Sequence, residues 1–373
     1  MVKEEDSALY ALLDSRGVSR RDFLKYCGSV AALLGLSELA APQIAAAVEK
    51  AGKLTPTLWL AEGLCTGCTE SMAQVDTPDV PAIVLDYLSV NYWETVMAAA
   101  GEAAEKNIAD TVKAGGYLVV VEGSVMKGFG GNALRIAGKP ALEELETVCK
   151  GAAAVVAVGS CAVDGGWVRA TPNPADATGV SMFLKEKGIA TPVVNLPTCP
   201  VNPEWVVAVL VSYLLLGKLP ELDDIGRPKL IFGQTIHDNC PRRGHFENSE
   251  FVEVFGSAEE AMGYCLYKLG CKGPQTLTNC PIVRWNRRTS WCVEAGSPCI
   301  GCGNLNWVDV GAPFFERSAA VNVPGVGGVS PDAIGIGLGA VAAGGLLIHG
   351  IAQTATGRMG HGAPVEEKKG GEA

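Results

Sequence analysis

The stretch Thr57-Leu-Trp-Leu-Ala-Glu-Gly-Leu-Cys-Thr-Gly-Cys68 decides the fold, because it joins a short apolar strand directly to a pair of cysteines. The same order recurs where Ala152–Val158 leads to Cys161 and where Thr191–Leu196 leads to Cys199. Continuous apolar strands are typical of a parallel sheet, whose ligands lie outside the carboxyl ends of the strands. The sequence therefore predicts an α/β fold in which four thiols meet at one edge, enough for one tetrahedral or cubane centre. These thiols belong to Cys65, Cys68, Cys161 and Cys199.

Other segments complete the predicted α/β domain. Two further apolar runs have the composition of buried strands, and three segments have the composition of helices. The strands are predicted at Ala82–Asp86 and Tyr117–Val121, and the helices at Trp93–Ala114, after Pro140 and at Glu204–Leu216. We interpret the segment 217–228 as the linker that closes this domain.

The composition is that of a globular protein. The chain has 373 residues, of which 48% are hydrophobic and 19% charged, so it is long enough for two domains of ordinary size. Its formal net charge of −10 argues against a nucleic-acid partner, because a nucleic-acid binder needs a basic surface that displaces counterions from phosphates. Its thirteen cysteines are too clustered to be scattered core residues.

The second half of the chain is rich in potential metal ligands. From Ile236 to Val310 there are many Cys, Trp, Arg, Asn and Gly residues but few long periodic segments, as expected where metal centres hold the backbone. Zinc is one alternative, but it would not require so large a surplus of ligands over two domains. Eleven cysteines and one histidine divide instead into three sets of four, which favours three cubane iron–sulfur clusters in series.

The N-terminal segment predicts export. Ser19-Arg-Arg-Asp-Phe-Leu-Lys25 precedes an apolar run from Val30 to Leu36 and the small residues Ala45–Ala47, which fit a cleavage site. We interpret residues 1–47 as a twin-arginine signal peptide; the alternative is an amphipathic helix with two chance arginines. This route carries folded proteins, so thiols that already hold a cofactor would not pair as disulfides at an oxidising destination.

The C-terminal end predicts a membrane anchor. Between Asp332 and Arg358 lie 25 residues with no formal charge apart from His349, enough for a helix to cross a hydrocarbon core of about 30 Å. We therefore assign residues 326–357 to a transmembrane anchor and residues 358–373 to a cytoplasmic tail. The alternative is a flexible tail, because the segment is rich in glycine.

Seven short motifs carry a family resemblance. They are Cys65-Thr-Gly-Cys68-Thr-Glu-Ser71, Gly159-Ser-Cys161-Ala162, Leu196-Pro-Thr-Cys199-Pro200, His237-Asp-Asn-Cys240-Pro-Arg-Arg243, Cys265 with Cys271, Asn279-Cys280-Pro281, and Pro298-Cys299-Ile-Gly-Cys302. In combination they look like the motifs of the small subunit of membrane-bound nickel–iron hydrogenases. The resemblance runs from the signal peptide to the C-terminal tail.

The resemblance implies an organisation and a set of partners. It implies a flavodoxin-like parallel-sheet domain at residues 48–217 and an irregular iron–sulfur domain at residues 218–325. A separate large subunit would carry the nickel–iron centre. Electrons from hydrogen would reach a membrane redox partner, namely a cytochrome b, a ferredoxin-type subunit or a quinone-reactive protein. The complex would lie at the periplasmic, extracytoplasmic face of the cell membrane.

The resemblance also assigns ligands to three 4Fe-4S clusters. The proximal cluster, nearest the nickel, falls to Cys65, Cys68, Cys161 and Cys199. The distal cluster falls to His237, Cys240, Cys265 and Cys271. The medial cluster falls to Cys280, Cys292, Cys299 and Cys302. Cys292 stands where a proline usually leaves three thiolates, so the medial centre is predicted to be 4Fe-4S, or 3Fe-4S if Cys292 does not ligate.

The chain departs from the family pattern at other positions near the first cysteine pair. Leu64 stands where many relatives have glutamate, although Glu70 matches. Oxygen-tolerant relatives carry two additional cysteines at positions that fall on Gly67 and Gly166. The resemblance therefore implies an ordinary four-cysteine proximal cluster, without oxygen tolerance by that mechanism.

The principal hypothesis is hydrogen oxidation by a heterodimer in which this chain conducts electrons and contains no catalytic residue. One alternative is an electron-transfer subunit of another exported oxidoreductase, which the same ligands would permit. The other is a non-enzymatic surface protein stabilised by metal or disulfides. His349 either faces a heme of the membrane partner or hydrogen-bonds a neighbouring helix.

Overall fold

The computed structural model describes residues 55–75, 88–216, 219–316, 321–323, 327–329 and 331–356. The predicted signal peptide, the predicted strand Ala82–Asp86 and the predicted cytoplasmic tail lie outside the described residues. The chain divides into two compact units, residues 1–317 and residues 318–373.

Five parallel strands form the main sheet of the first unit. They are β1 (Thr55–Ala61), β2 (Leu88–Trp93), β3 (Leu118–Glu122), β4 (Ala154–Val158) and β5 (Val193–Leu196). Their order across the sheet is β2-β1-β3-β4-β5, and every neighbouring pair is parallel. Flavodoxin-like sheets have this strand order, with the ligand crevice where the order reverses between β1 and β3. The predicted parallel α/β architecture is confirmed.

The strands are apolar on both sides because both faces of the sheet are covered. Val120 and Val156 contribute to one core, whereas Val119 and Val155 contribute to the core on the opposite face. β3 and β4 are buried along their whole length, which explains their continuous apolar sequences. The first core also contains residues of the cysteine-rich half, such as Trp291, so the sheet and that half are stabilised by one shared core.

Helices cover the sheet. They are α1 (Gly67–Met72), α2 (Glu102–Ala114), α3 (Ala141–Gly151), α4 (Gly159–Asp164), α5 (Gly166–Arg169), α6 (Val180–Glu186) and α7 (Pro203–Leu216). Two short antiparallel pairs lie beyond the sheet, Val125–Met126 with Ala177–Thr178 and Arg135–Ile136 with Lys139–Pro140. A single turn of 3-10 helix spans Phe129–Gly131. The predicted helices after Pro140 and at Glu204–Leu216 correspond to α3 and α7.

The boundary between β2 and α2 differs from the prediction. The composition predicts a helix from Trp93 onward, but Trp93 ends β2 and the helix begins at Glu102. The rings of Trp93 and Trp59 stack with centroids 4.3 Å apart and planes within 9°, and both side chains are buried. Burial of two large aromatic rings on neighbouring strands outweighs local helix propensity, which is worth less than 1 kcal/mol per residue.

Residues 219–316 contain only short helices and turns. No helix in this described segment exceeds five residues, which is too short for a helix to be stable without neighbouring contacts. The helices are Lys229–Phe232, His237–Asn239, Arg243–Glu247, Ala258–Ala261, Leu266–Leu269, Gly273–Gln275, Cys280–Val283 and Trp307–Gly311.

The second unit contains a hairpin and a long helix. Val321–Val323 pairs antiparallel with Gly327–Val329, and the helix spans Pro331–Ala355. Within it, Ile334–Ala355 has a mean hydropathy of 1.9, and none of its residues is buried. By length and composition this is the one helix among the described residues that is long and apolar enough to cross a membrane.

Candidate metal centres

The first set of thiols lies at the carboxyl edge of the sheet. Cys65 follows β1 and Cys199 follows β5, while Cys68 and Cys161 lie in the first turns of α1 and α4. Burial raises the pKa of the Cys161 thiol to about 11, and Cys199 and Cys65 contribute to this rise. Burial raises the pKa of the Cys68 thiol. Glu122, Cys161 and Cys199 lie nearby and raise this pKa further. The structure thus brings the four predicted residues within electrostatic reach of one another.

Glycines allow the backbone to approach these thiols. A Cβ atom on Gly159 would lie 2.5 Å from Cys68 Sγ, and one on Gly166 would lie 2.8 Å from Cys161 Sγ. Both glycines also have positive φ angles, which side chains disfavour. A Cβ on Gly67 would lie 3.2 Å from the Sγ of the first cysteine in the set. Larger residues at these positions would crowd the four thiols.

Glu122 holds the start of α1 in place. This buried residue ends β3, and its Oε1 accepts a hydrogen bond from the backbone N–H of Cys68 at 3.0 Å. Its Oε2 accepts from the N–H and hydroxyl of Thr69 at 3.1 and 2.5 Å and from the Trp59 indole at 3.3 Å. The Trp93 indole donates to the Thr69 hydroxyl oxygen at 3.2 Å. Since that oxygen accepts from Trp93, the hydroxyl proton of Thr69 is directed to Glu122. Sequence reasoning missed Glu122; its signal was a single charge in an otherwise apolar strand.

All four cysteines predicted for the medial set line a cavity of about 350 Å³. They are Cys280, Cys292, Cys299 and Cys302. Cys292 is therefore placed with the other three thiols rather than apart from them. Thr278, Trp285 and Trp291 line the same cavity, so apolar rings and a hydroxyl surround the sulfur atoms.

The four residues predicted for the distal set line a second, smaller cavity. They are His237, Cys240, Cys265 and Cys271. Arg242 also lines this cavity, and its guanidinium donates to the backbone carbonyl of Tyr264 at 2.9 Å. Burial raises the pKa values of the Cys240 and Cys265 thiols, and the charge of Arg242 opposes that rise. A fixed cation thus lowers the cost of gathering thiolates here.

A shared cavity and hydrogen bonds join neighbouring sets. Cys199, in the first set, lines the same cavity as Cys302 in the second. The N–H of Cys299, in the second set, donates to Cys271 Sγ in the third at 3.4 Å. Ser160 strengthens the first junction, because its hydroxyl donates to the carbonyl of Cys302 at 2.7 Å. The three sets therefore lie in series.

The buried thiols fit a cofactor that brings positive charge. Burial raises the pKa of the Cys265 and Cys280 thiols to about 11, whereas metal ligation requires thiolates. Among the described residues, no three His, Cys, Asp or Glu side chains lie close enough together to hold a single metal ion. Tetrahedral zinc would draw its thiolates to within about 4 Å of one another. Thiols arranged around a cavity fit a multi-atom iron–sulfur cluster better than a single zinc ion.

Two other buried titratable groups escaped sequence reasoning. Glu62 follows β1 and is 7% exposed, and one of its carboxylate oxygens has no hydrogen-bond partner. Burial, together with Glu144 and Glu94, raises its pKa from 4.5 to about 8. Cys149 is fully buried in the core on the face of the sheet opposite to Cys68.

Two family models match separate parts of the chain. Residues 232–315 match the family that describes the C-terminal part of the NiFe/NiFeSe hydrogenase small subunit. Residues 65–213 match the family described as "NADH ubiquinone oxidoreductase, 20 Kd subunit". Residues 65–213 contain the whole first set of thiols, and residues 232–315 contain the other two sets.

Similar proteins extend over most of the chain. The periplasmic NiFe hydrogenase small subunit of Solidesulfovibrio fructosivorans is 44% identical over 307 residues, which are 82% of this chain and 95% of that protein. The quinone-reactive Ni/Fe-hydrogenase small chain of Wolinella succinogenes is 40% identical over 349 residues, 91% of this chain and 97% of that one. The reduced, active form of the Ni-Fe-Se hydrogenase from Desulfomicrobium baculatum has a TM-score of 0.67 at 34% identity, over 71% of this chain and 100% of that chain.

Replacing Glu62 with Gln is expected to change the pH dependence of stability. The Glu62 carboxyl stays neutral in the folded protein up to about pH 8 but ionises in the unfolded chain above about pH 4.5, so the wild type loses stability as the pH rises through this window. The Tm of Glu62→Gln relative to wild type should therefore rise between about pH 5 and about pH 8. Thermal unfolding measures this, with the exposed Glu143→Gln as control. A Tm difference independent of pH would contradict the assignment.

Replacing Glu122 with Gln is expected to destabilise the protein by about 1–3 kcal/mol, because an amide nitrogen is unable to accept and leaves a buried donor unsatisfied. Thermal unfolding of the assembled protein should show a lower Tm than in wild type. Glu143→Gln again serves as control, since it alters an exposed carboxylate. Equal Tm values for the two variants would show that the network around Glu122 contributes nothing to stability.

Proposed function

The chain belongs to the nickel–iron hydrogenase small-subunit family, and we propose that it is the electron-transfer subunit of an uptake hydrogenase at the extracytoplasmic face of a membrane. Small subunits of this family form a heterodimer with a large subunit, which carries the active site. Hydrogenase activity belongs to that assembly. In the proposal, this chain receives electrons from hydrogen oxidation and contributes no catalytic residue.

The observation that carries the proposal is the serial arrangement of the three ligand sets. The proximal ligands are Cys65, Cys68, Cys161 and Cys199, the medial ligands are Cys280, Cys292, Cys299 and Cys302, and the distal ligands are His237, Cys240, Cys265 and Cys271. Iron–sulfur clusters at these sites would each accept and release one electron at a time. The chain's own contribution is to hold adjacent sites together through the Ser160 hydroxyl, which donates to the Cys302 carbonyl, and through the N–H of Cys299, which donates to Cys271 Sγ.

The medial site is proposed to hold a 4Fe-4S cluster. Support comes from the position of Cys292, which lines the same cavity as the other three cysteines. A fourth thiolate also adds negative charge, which disfavours reduction. If Cys292 did not ligate, the same cavity would retain three thiols and suit a 3Fe-4S centre.

The distal site is proposed as the point where electrons leave the chain. His237 is a neutral ligand when it binds metal, so it carries one negative charge less than a thiolate and makes reduction easier. Its ring packs edge-on against Phe246, with centroids 4.6 Å apart, which limits its rotation. Arg242 adds a positive charge beside the same cavity.

The membrane location rests on both ends of the chain. The helix Pro331–Ala355 is proposed as the anchor within residues 326–357, and residues 1–47 are proposed as the twin-arginine signal. The relative from Wolinella succinogenes is named quinone-reactive, which supports a membrane redox partner. A cytochrome b, a ferredoxin-type subunit and a quinone-reactive protein remain the candidate acceptors.

The second candidate function is electron transfer in another exported oxidoreductase. The match of residues 65–213 to the 20 Kd subunit family favours it, because that match contains the complete first set. However, residues 232–315, which contain the other two sets, match the hydrogenase family. A non-enzymatic surface protein stabilised by metal or disulfides is disfavoured because residues 232–315 match the hydrogenase small-subunit family.

Anaerobic purification of the complex is expected to yield a nickel-containing large subunit together with this chain. The small subunit should contain about twelve iron atoms and as many acid-labile sulfides per nickel, since three 4Fe-4S clusters are proposed. Hydrogen-dependent dye reduction measures the activity. Iron and sulfide without nickel or hydrogen oxidation would favour the second candidate, and a protein without iron would exclude both.

Replacing Cys292 with Ala is expected to convert the medial centre to 3Fe-4S, because three thiolates remain. Electron paramagnetic resonance of the oxidised variant should show a stoichiometric 3Fe-4S signal that is missing from wild type. Cys149→Ala is the matched control, because Cys149 is buried away from all three sets. A stoichiometric 3Fe-4S signal in the wild type would sink the four-thiolate assignment.

A further inference from the structure

We propose that Thr278 and Trp285 raise the reduction potential of the medial centre by donating hydrogen bonds to the sulfur of Cys280. The inference rests on the proposed function, because it requires an iron–sulfur cluster in the medial cavity. Both residues line that cavity together with Cys280.

The contact of Thr278 has a defined direction. Its Oγ1 lies 3.0 Å from Cys280 Sγ, and the backbone N–H of Cys280 points to the same oxygen at 3.4 Å. A ligating thiolate carries no proton and the N–H is a donor only, so the hydroxyl proton must point to the sulfur. Thr278 is 1% exposed, and so water does not compete for this bond.

Trp285 provides a second side-chain donor to the same sulfur. Its side chain lines the cavity that contains Cys280, and an indole nitrogen only donates. The position of Trp285 is fixed from two sides. Its ring packs edge-on against Trp205, with centroids 6.1 Å apart, and its backbone N–H donates to the carbonyl of Ser290 at 2.8 Å.

These donors differ from the backbone groups that contact other sulfur atoms. Cys68 Sγ accepts from the N–H of Val201, and Cys299 Sγ accepts from the N–H of Gly301, each at 3.4 Å. A backbone N–H is present whatever the side chain, whereas a hydroxyl or an indole depends on the residue type. The strength of hydrogen bonding at Cys280 is therefore determined by the identities of residues 278 and 285.

The effect on the potential follows from charge. Reduction adds an electron that is shared with the sulfur ligands, and hydrogen bonds to those ligands stabilise the added negative charge. The interaction is strong here because the site is buried and its local dielectric is low. Cys292 acts in the opposite direction, since a fourth thiolate lowers the potential. The two donors thus offset part of the decrease in reduction potential that Cys292 causes.

The test is a redox titration of the medial signal by electron paramagnetic resonance in the purified heterodimer. Thr278→Val keeps the size of the side chain but removes the hydroxyl, whereas Thr278→Ser keeps the hydroxyl and removes the methyl group. At the wild-type midpoint, Thr278→Val should show about a tenfold lower ratio of reduced to oxidised medial centre, which corresponds to a shift of about −59 mV. Thr278→Ser should stay near wild type, and Trp285→Phe should shift in the same direction as Thr278→Val.

The controls separate this inference from the proposed function. The exposed Thr147→Val, on α3, should leave the medial potential unchanged, and the proximal and distal signals should not move in any variant. Equal potentials for wild type and Thr278→Val, or equal shifts for Thr278→Ser and Thr278→Val, would overturn the inference. If Thr278→Val fails to assemble the medial centre, an unchanged medial potential in Trp285→Phe overturns the inference. A wild-type protein without iron or sulfide would overturn the proposed function itself.

Discussion

The burial of cysteine thiols is the constraint on which the rest of the structure depends. Desolvation raises the pKa of one thiol after another, to about 11 at Cys161, Cys265 and Cys280. A buried thiolate is stable only if bound positive charge compensates for the lost hydration. Cluster binding at the proposed sites would therefore be coupled to folding, which accounts for the short helices of residues 219–316. In the proposal, the clusters take the place of the regular elements that would otherwise stabilise this segment.

The sheet determines where the centres lie relative to one another. At the start of α7, Asn202 donates to the carbonyl of Arg284 at 2.6 Å and Trp205 donates to Asn279 at 2.8 Å. These bonds attach the segment around Cys280 to the element that follows the first thiol set. The same core continues from the sheet into the cysteine-rich half. Adjacent sites are thus held together by packing and hydrogen bonds.

The polar groups around each set adjust the charge that the thiols experience. Glu122 places a buried negative group beside Cys68, whereas Arg242 places a positive one beside the third set. Cys280 instead receives a neutral donor from Thr278. The neighbours, together with the types of ligand, therefore distinguish the electrostatics of the three sites.

The sequence by itself determined the parallel α/β fold, the cysteines at the ends of β1, β4 and β5, and the short irregular second half. These features are local, because strand composition and motif spacing act over a few residues. Only the tertiary structure decided that Trp93 ends a strand, that Glu122 anchors Cys68, and that Cys292 lines the cavity of the medial set. The first two depend on contacts between residues far apart in the sequence, and the third depends on how a whole loop packs. Local propensities are too weak to specify such contacts, since burial and hydrogen bonding between distant residues outweigh them.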